Sequence, residues 1–294
     1  MVVKQINQVA IVGGIHGNEL TGVYMVKKFQ SFPQLIKRPS FQTLTWLGNP
    51  KAIKACQRYI DIDLNRCFSK EDLQNIHLCQ YEQLLAKNIY QHFQASQVDF
   101  IIDIHSSTAN MGLTLILGNE HPFTLSLAAI LSANNPSIKV LRTTKKQAQT
   151  RLRSICPLGI TIEVGAVAQG ILDPVIFQQT EALVLAILDY VDKFNQQHLP
   201  LPPEVLTCYE IVENVDFPRN EQGEIIAMVH PHLHGNDYCN LKSGEPIFVK
   251  FDGSVLVYEG KETVYPVFIN ESAYREKGIA MALSKVLHLS IGSW

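Results

Sequence analysis

Apolar residues follow two different rhythms along this chain. Up to residue 198, short apolar runs alternate with longer stretches of helical period. Val9-Ala-Ile-Val12 runs into Gly13-Gly14, Phe41 to Leu47 alternates and stops at Gly48-Asn-Pro50, and Phe100-Ile-Ile-Asp-Ile104, Leu113-Thr-Leu-Ile-Leu117 and Ile160 to Val164 have strand length. Between them, Thr21 to Phe29 sets Val23, Val26 and Phe29 at helical spacing. Ile76 to Gln94 does the same with Leu84, Leu85 and Ile89. Pro174 opens a long helix through Phe194 that carries Leu183, Val184, Ile187, Leu188 and Val191. Strands alternating with helices over 1–198 predict an α/β domain built on a largely parallel or mixed sheet.

His198-Leu-Pro-Leu-Pro-Pro203 breaks the alternation and reads as a linker. Over 204–294 the pattern becomes short β-rich runs: Leu206 to Val212, Ile225 to Val229, Ile247 to Phe251, Val255 to Tyr258 and Val264 to Ile269. Phe251-Asp-Gly-Ser254 predicts a hairpin turn, because Asp-Gly readily adopts positive φ. Residues 271–287 read as a helix. The C-terminal third is therefore expected to be a smaller β-rich module, and the chain shows no internal repeat.

Composition narrows the function classes. With 294 residues, 46% of them apolar, the chain has ample core for one large domain and a smaller one. A formal net charge of −2, without a Lys/Arg stripe, argues against a nucleic-acid partner. Six cysteines with no CxxC pair fit reduced thiols in an intracellular protein. The first residues lack the apolar stretch of a signal peptide, and no uncharged apolar run reaches the ~18 residues of a membrane span. The expectation is a soluble, cytoplasmic protein with no membrane partner.

The chemistry concentrates in a few places. In Gly13-Gly-Ile-His-Gly-Asn-Glu-Leu20, His16 and Glu19 follow a strand and a glycine turn that can bring both side chains to one point. Imidazole and carboxylate are zinc ligands, and a catalytic zinc takes three protein ligands. His105 ends the Phe100–Ile104 run, at the carboxyl end of a strand where α/β sheets collect ligands. It reads either as a third ligand or as a strand-end histidine. Asp103, two residues earlier, faces the same side and reads either as an orienting partner or as a polar strand end. Glu163 sits inside the apolar Ile160-Thr-Ile-Glu-Val-Gly165, where a carboxylate is costly unless paired or used; burial would raise its pKa toward the range of a general base. Arg58, Asn65-Arg66, Arg151 and Arg153 together suggest a pocket lined for anions. His230, His232 and His234 form an alternating cluster that reads as a surface or structural feature.

GGIHGNELTG (13–22), GNP (48–50), RYIDIDLNR (58–66), DIHSSTANMG (103–112), IEVG (162–165) and VYPVFINESAYREK (264–277) occur in order along nearly the whole chain. In this the sequence resembles the aspartoacylase/succinylglutamate desuccinylase family of the zinc carboxypeptidase-like fold. The resemblance implies a mixed sheet flanked by helices, with a capping C-terminal module. It implies one Zn²⁺ per subunit on His16, Glu19 and His105, with Glu163 activating the zinc-bound water and Arg58 facing the scissile carbonyl. Asn65, Arg66, Arg153 and Tyr274 would hold a small N-acylated amino acid, and a homo-oligomer would follow by family analogy. The implied reaction is hydrolysis of N-acetyl-L-aspartate to acetate and L-aspartate. Deacylation of aromatic or succinylglutamate substrates, carboxypeptidase activity, and a non-catalytic zinc- or anion-binding role are the alternatives. The sequence departs from the aspartoacylase pattern at Gln149 and at Gly278, which has Lys277 beside it. Both positions belong to the shell expected to read the substrate side chain.

Overall fold

The computed structural model describes residues 5–143 and 148–291. Twelve strands are described: β1 (Gln8–Gly13), β2 (Gln42–Leu47), β3 (Phe100–Ser106), β4 (Gly112–Leu117), β5 (Ile138–Arg142), β6 (Leu158–Gly165), β7 (Val205–Asp216), β8 (Ala227–Val229), β9 (Pro246–Lys250), β10 (Val255–Val257), β11 (Tyr265–Val267) and β12 (Ile279–Ser290). The helices are α1 (Leu20–Ser31), α2 (Pro50–Ala55), α3 (Lys70–Gln74), α4 (Tyr81–Ala95), α5 (Pro122–Asn134) and α6 (Pro174–Asn195). Nine strands form one mixed sheet in the order β11-β12-β7-β5-β4-β6-β3-β1-β2, and β10-β9-β8 form a second, small sheet. The result is an α/β fold with a large mixed sheet flanked by helices and a β-rich C-terminal part.

The two faces of the large sheet explain where its chemistry lies. Along β3, Phe100, Ile102 and Ile104 point into the core cluster that also holds Met25 and Phe29 of α1, Phe123 and Leu127 of α5, and Leu183 and Ile187 of α6. Ile160, Ile162 and Val164 of β6 face the same way. Ile101 points to the opposite face, against Ala86, Ile89 and Phe93 of α4. Because strand side chains alternate, Asp103 and His105 of β3, and Thr161 and Glu163 of β6, belong to this second face, where the apolar packing gives way to polar groups toward the carboxyl ends. By length and composition α6 could cross a membrane, but its Leu183, Val184, Ile187, Leu188 and Val191 stripe is packed in the core.

Two sequence expectations need correction. Residues 271–287 are not a helix: Ser272–Lys277 is a short 3-10 turn, and β12 follows. Gly278, at φ 73°, ends the turn, and the apolar Ala280–Leu283 run is buried between β11 and β7, which a one-faced helix would not need. The helix expected from Ile76 begins at Tyr81, and Ile76 is 86% exposed. The C-terminal third is β-rich, as expected. β7, β11 and β12 extend the large sheet, and only β8, β9 and β10 stand apart. The Asp-Gly hairpin does join β9 to antiparallel β10, with Gly253 at φ 86°. Helix α5 and strand β5 were missed by the sequence reading because α5 is apolar almost all round and so lacks a periodic stripe.

Candidate metal centre and active-site cavity

His16, Glu19 and His105 meet at the carboxyl ends of β1 and β3. Gly13 ends β1 against the first turn of α1; a Cβ there would lie 2.0 Å from the carbonyl oxygen of Gly22. That close approach folds the 14–19 loop tightly over the sheet and leaves Glu19 as the N-cap of α1. The Glu19 carboxylate does not cap the helix but turns inward. One oxygen lies 2.6 Å from His16 Nδ1; the other lies 2.9 Å from His105 Nδ1 and accepts the Ser106 amide at 3.1 Å. The two Nδ1 atoms are 3.1 Å apart. All three residues are buried, and among the described residues they are the only group of three such side chains whose donor atoms converge. Burial opposes the charge on Glu19, but His16 and His105 outweigh it and hold its pKa below the usual carboxylate range.

Each histidine has a carboxylate on its far nitrogen. Asp63 lies 3.0 Å from His16 Nε2, and Asp103 lies 3.0 Å from His105 Nε2. The hydrogen bond to Asp63 fixes the His16 ring proton on Nε2 and turns its Nδ1 lone pair toward the shared centre, while Asp103 sets a negative charge beside His105 Nε2. Asp103 is thus a charge partner of His105. Asp63 orients His16, and the sequence reading missed it although it lies inside the 58–66 motif. Arg58 donates to Glu19 at 3.2 Å and to Asp63 at 3.4 Å, so its guanidinium sits beside the cluster. Asn65 does not present a free amide. Its Oδ1 accepts the Leu152 amide at 3.0 Å, which holds the side chain at the cavity wall.

Glu163 reaches the centre by register. β6 runs parallel to β3 with Glu163 opposite His105 and Thr161 opposite Asp103, so the four side chains share one face. The Glu163 carboxylate opens into the cavity, and no residue among those described hydrogen-bonds it. Burial pushes its pKa up to about 8, against the opposing pull of His105. Its apolar strand therefore supplies what a proton-transferring carboxyl requires.

The nine residues that the family resemblance assigns to the site all line one cavity of about 250 Å³: His16, Glu19, Arg58, Asn65, Arg66, His105, Arg153, Glu163 and Tyr274. Its cationic wall holds Arg66, Arg151, Arg153 and Lys277. Arg153 is buried; it donates to Thr161 and Thr143 at 2.9 Å each, and its Nε has no partner among the described residues. Burial, with Arg151 nearby, lowers its pKa to about 9. Apolar lining comes from Ile116, Ile211, Phe268 and Ala282. Gln149 lies outside this cavity and lines surface hollows beyond Arg153. At position 278 a Cβ would lie 2.7 Å from the Asp216 carboxylate, so the chain turns there on glycine and places Lys277 at the cavity instead.

Glu271 is a further residue the sequence reading did not find. From the C-terminal part it accepts the Thr108 amide at 2.7 Å, the Ala109 amide at 3.2 Å and the Ala273 amide at 3.0 Å, and it bonds the Ser107 hydroxyl. It ties the loop after His105 to the turn that carries Tyr274. Its place in the Asn-Glu-Ser stretch, between polar neighbours of a turn, carries no periodic signal. His230 and His232 bring their Nδ1 atoms within 2.8 Å of each other on the loop after β8, away from this cavity.

A sheet-end His–Glu–His cluster with a free carboxyl beside it is the layout of a mononuclear metal site, and comparison with known proteins gives it a family. Residues 5–191 match the succinylglutamate desuccinylase/aspartoacylase catalytic domain, and residues 204–286 match the barrel-sandwich hybrid domain of the same group. The chain is 52% identical to a probable aspartoacylase of Nostoc sp., over 96% of this chain and 97% of that one. It is 38% identical to the human N-acyl-aromatic-L-amino acid amidohydrolase (carboxylate-forming), over 94% of this chain and 90% of that one. The crystal structure of murine aminoacylase 3 superposes with a TM-score of 0.94 at 36% identity, covering 99% of both chains. The chain belongs to the succinylglutamate desuccinylase/aspartoacylase family.

Proposed function

We propose that this protein is a zinc-dependent amidohydrolase that deacylates N-acyl-L-aspartate, converting N-acetyl-L-aspartate and water to acetate and L-aspartate. The observation that carries the proposal is Glu163, an unpartnered carboxyl with a pKa of about 8 facing three convergent ligand residues. The donor set fits zinc: two imidazole Nδ1 atoms and a carboxylate crowd one point at 2.6–3.1 Å, with carboxylates behind both rings. His16, Glu19 and His105 would hold the zinc, which would supply a Lewis acid for the scissile carbonyl and lower the pKa of the attacking water.

The remaining chemistry falls to the chain itself. Glu163 takes the proton from the attacking water and delivers it to the leaving amide nitrogen. Asp63 keeps His16 in the ligating tautomer, and Asp103 sets a negative charge beside His105. Arg58 places positive charge where the carbonyl oxygen gathers negative charge. Arg153, Arg66, Arg151 and Lys277 outnumber the acids on their wall, which suits a substrate bearing two carboxylates. The cavity's small volume suits an acylated amino acid better than a peptide. Six free thiols suit the reducing cytoplasm.

The apolar lining of Ile116, Ile211 and Phe268 favours a second reading, an N-acyl aromatic amino acid as substrate. Comparing kcat/KM for N-acetyl-L-aspartate, N-acetyl-L-phenylalanine and N-succinyl-L-glutamate on the zinc-loaded protein decides between them. The proposal expects acetylaspartate to lead by at least ~10-fold, the discrimination one well-placed charge contact supplies. A lead for the phenylalanine derivative assigns the aromatic reading instead.

A further inference from the structure

The loop carrying Arg58, Asp63 and Arg66 has no strand ladder to hold it; Ile60 is 39% exposed and Asp61 is exposed. Its anchor is Glu82, the second residue of α4, whose side chain is fully buried. One carboxylate oxygen accepts Ile60 N at 2.7 Å and Asn49 Nδ2 at 3.0 Å. The other accepts Asp61 N at 3.0 Å and Ile62 N at 3.2 Å. Four donors converge on one carboxylate, three of them successive backbone amides. The clasp is reciprocal, because Asp61 accepts the Tyr81 amide at 2.9 Å and so ties the loop back to the start of α4. Asn49 is itself fixed, its amide donating to Gly14 O at 2.8 Å in the loop before His16.

We propose that Glu82 is a positioning residue for the reaction: by gathering the Ile60–Ile62 amides it sets Arg58 and Asp63, and through Asp63 it aims His16 at the metal. The inference rests on the amidohydrolase reading for its catalytic meaning. The chemistry requires a carboxylate. Only an acceptor with two oxygens satisfies four donors, and a glutamine would turn an NH₂ group toward two of them. Arg58 lies two residues before the clasp and Asp63 one residue after it. A slackened loop therefore loosens both the charge beside Glu19 and the partner of His16 Nε2.

The test uses Glu82→Gln and the shorter Glu82→Asp in the full-length, zinc-loaded protein. Zinc affinity, measured by competition with a chromophoric chelator, is expected to weaken ~10- to 100-fold in Glu82→Gln and less in Glu82→Asp. In an Asp63→Ala background, Glu82→Gln is expected to add little further loss, because both act on His16 through one chain of contacts. Multiplicative losses, or wild-type zinc affinity and turnover in a folded Glu82→Gln, would overturn the proposal. Should both variants fail to fold, amide hydrogen exchange on the wild-type protein decides. The Ile60, Asp61 and Ile62 amides must exchange slowly despite their surface position, and fast exchange refutes the clasp. Zinc affinity and exchange need no substrate. A wild-type protein that hydrolyses no acyl amino acid but loses zinc affinity on Glu82→Gln therefore defeats the functional reading and leaves the positioning role standing.

Discussion

The two sides of the cavity are built differently. On the metal side, each group is pinned by another: His16 by Asp63, His105 by Asp103, Glu19 by Arg58 and the Ser106 amide. These groups sit on β3, on the loop between β1 and α1, or on a loop that hydrogen bonds hold against α4. On the far side, the wall comes from β7, β12 and the Ser272–Lys277 turn, with Lys277 exposed and Tyr274 only half-buried. On the proposed reading, the reaction rests on mutually constrained groups, and the C-terminal wall, with few hydrogen bonds to the centre, contributes to substrate choice. Glu271 is the main exception, joining the turn to the loop after His105.

The largest break in this contrast should come at Glu163. Glu163→Gln is expected to keep zinc and lower kcat by ~10²- to 10⁴-fold, the usual worth of a general base. The same change should stabilise the metal-free fold. Folding raises the Glu163 pKa from 4.5 to about 8, so its neutral form is favoured in the folded state. The stability this gives is fully present below pH 4.5 and is lost as pH rises toward 8. Thermal unfolding of the two metal-free proteins should therefore nearly coincide at pH 4.5 and diverge in favour of Glu163→Gln by pH 8. Coincident curves at both pH values would contradict the shift.

Asp103→Asn tests the pinned side with a smaller effect. It removes the carboxylate behind His105, and chelator competition should register a ~10- to 100-fold weaker zinc site. Glu271→Ala probes the tie between the two sides. It strands the Thr108, Ala109 and Ala273 amides, and denaturant unfolding should record a loss of about 1–3 kcal/mol. Lys277→Ala touches only the loosely tied wall. It should raise KM for N-acetyl-L-aspartate by several-fold, leave kcat nearly unchanged, and spare N-acetyl-L-phenylalanine, since an exposed charge contributes little beyond its own contact. An equal effect on both substrates would place Lys277 outside side-chain recognition.

The same contrast governs how much was legible in the sequence. His105 and Glu163 could be found because a polar residue inside an apolar strand is conspicuous, and strand alternation fixes which face it joins. Their meeting depends on the β3–β6 register, which no local pattern reveals. Asp63 and Glu82 were overlooked because a charged residue in a loop or on a helix looks solvated until the fold buries it; Glu82 is fully buried. The C-terminal wall was the least legible. β12 falls where the sequence predicts a helix, because an apolar run buried on both faces carries no period-2 signature. The nine residues nonetheless line one cavity, since most lie at strand ends or in loops leading directly from them.

The most direct test is acetate release from N-acetyl-L-aspartate by wild-type protein and Glu163→Gln at matched zinc content, each with and without a chelator. The account expects stoichiometric acetate and L-aspartate from the wild type, loss of turnover on chelation with recovery when zinc is restored, and at least a ~10²-fold slower Glu163→Gln. Turnover indifferent to the chelator, or equal in the two proteins, would contradict it.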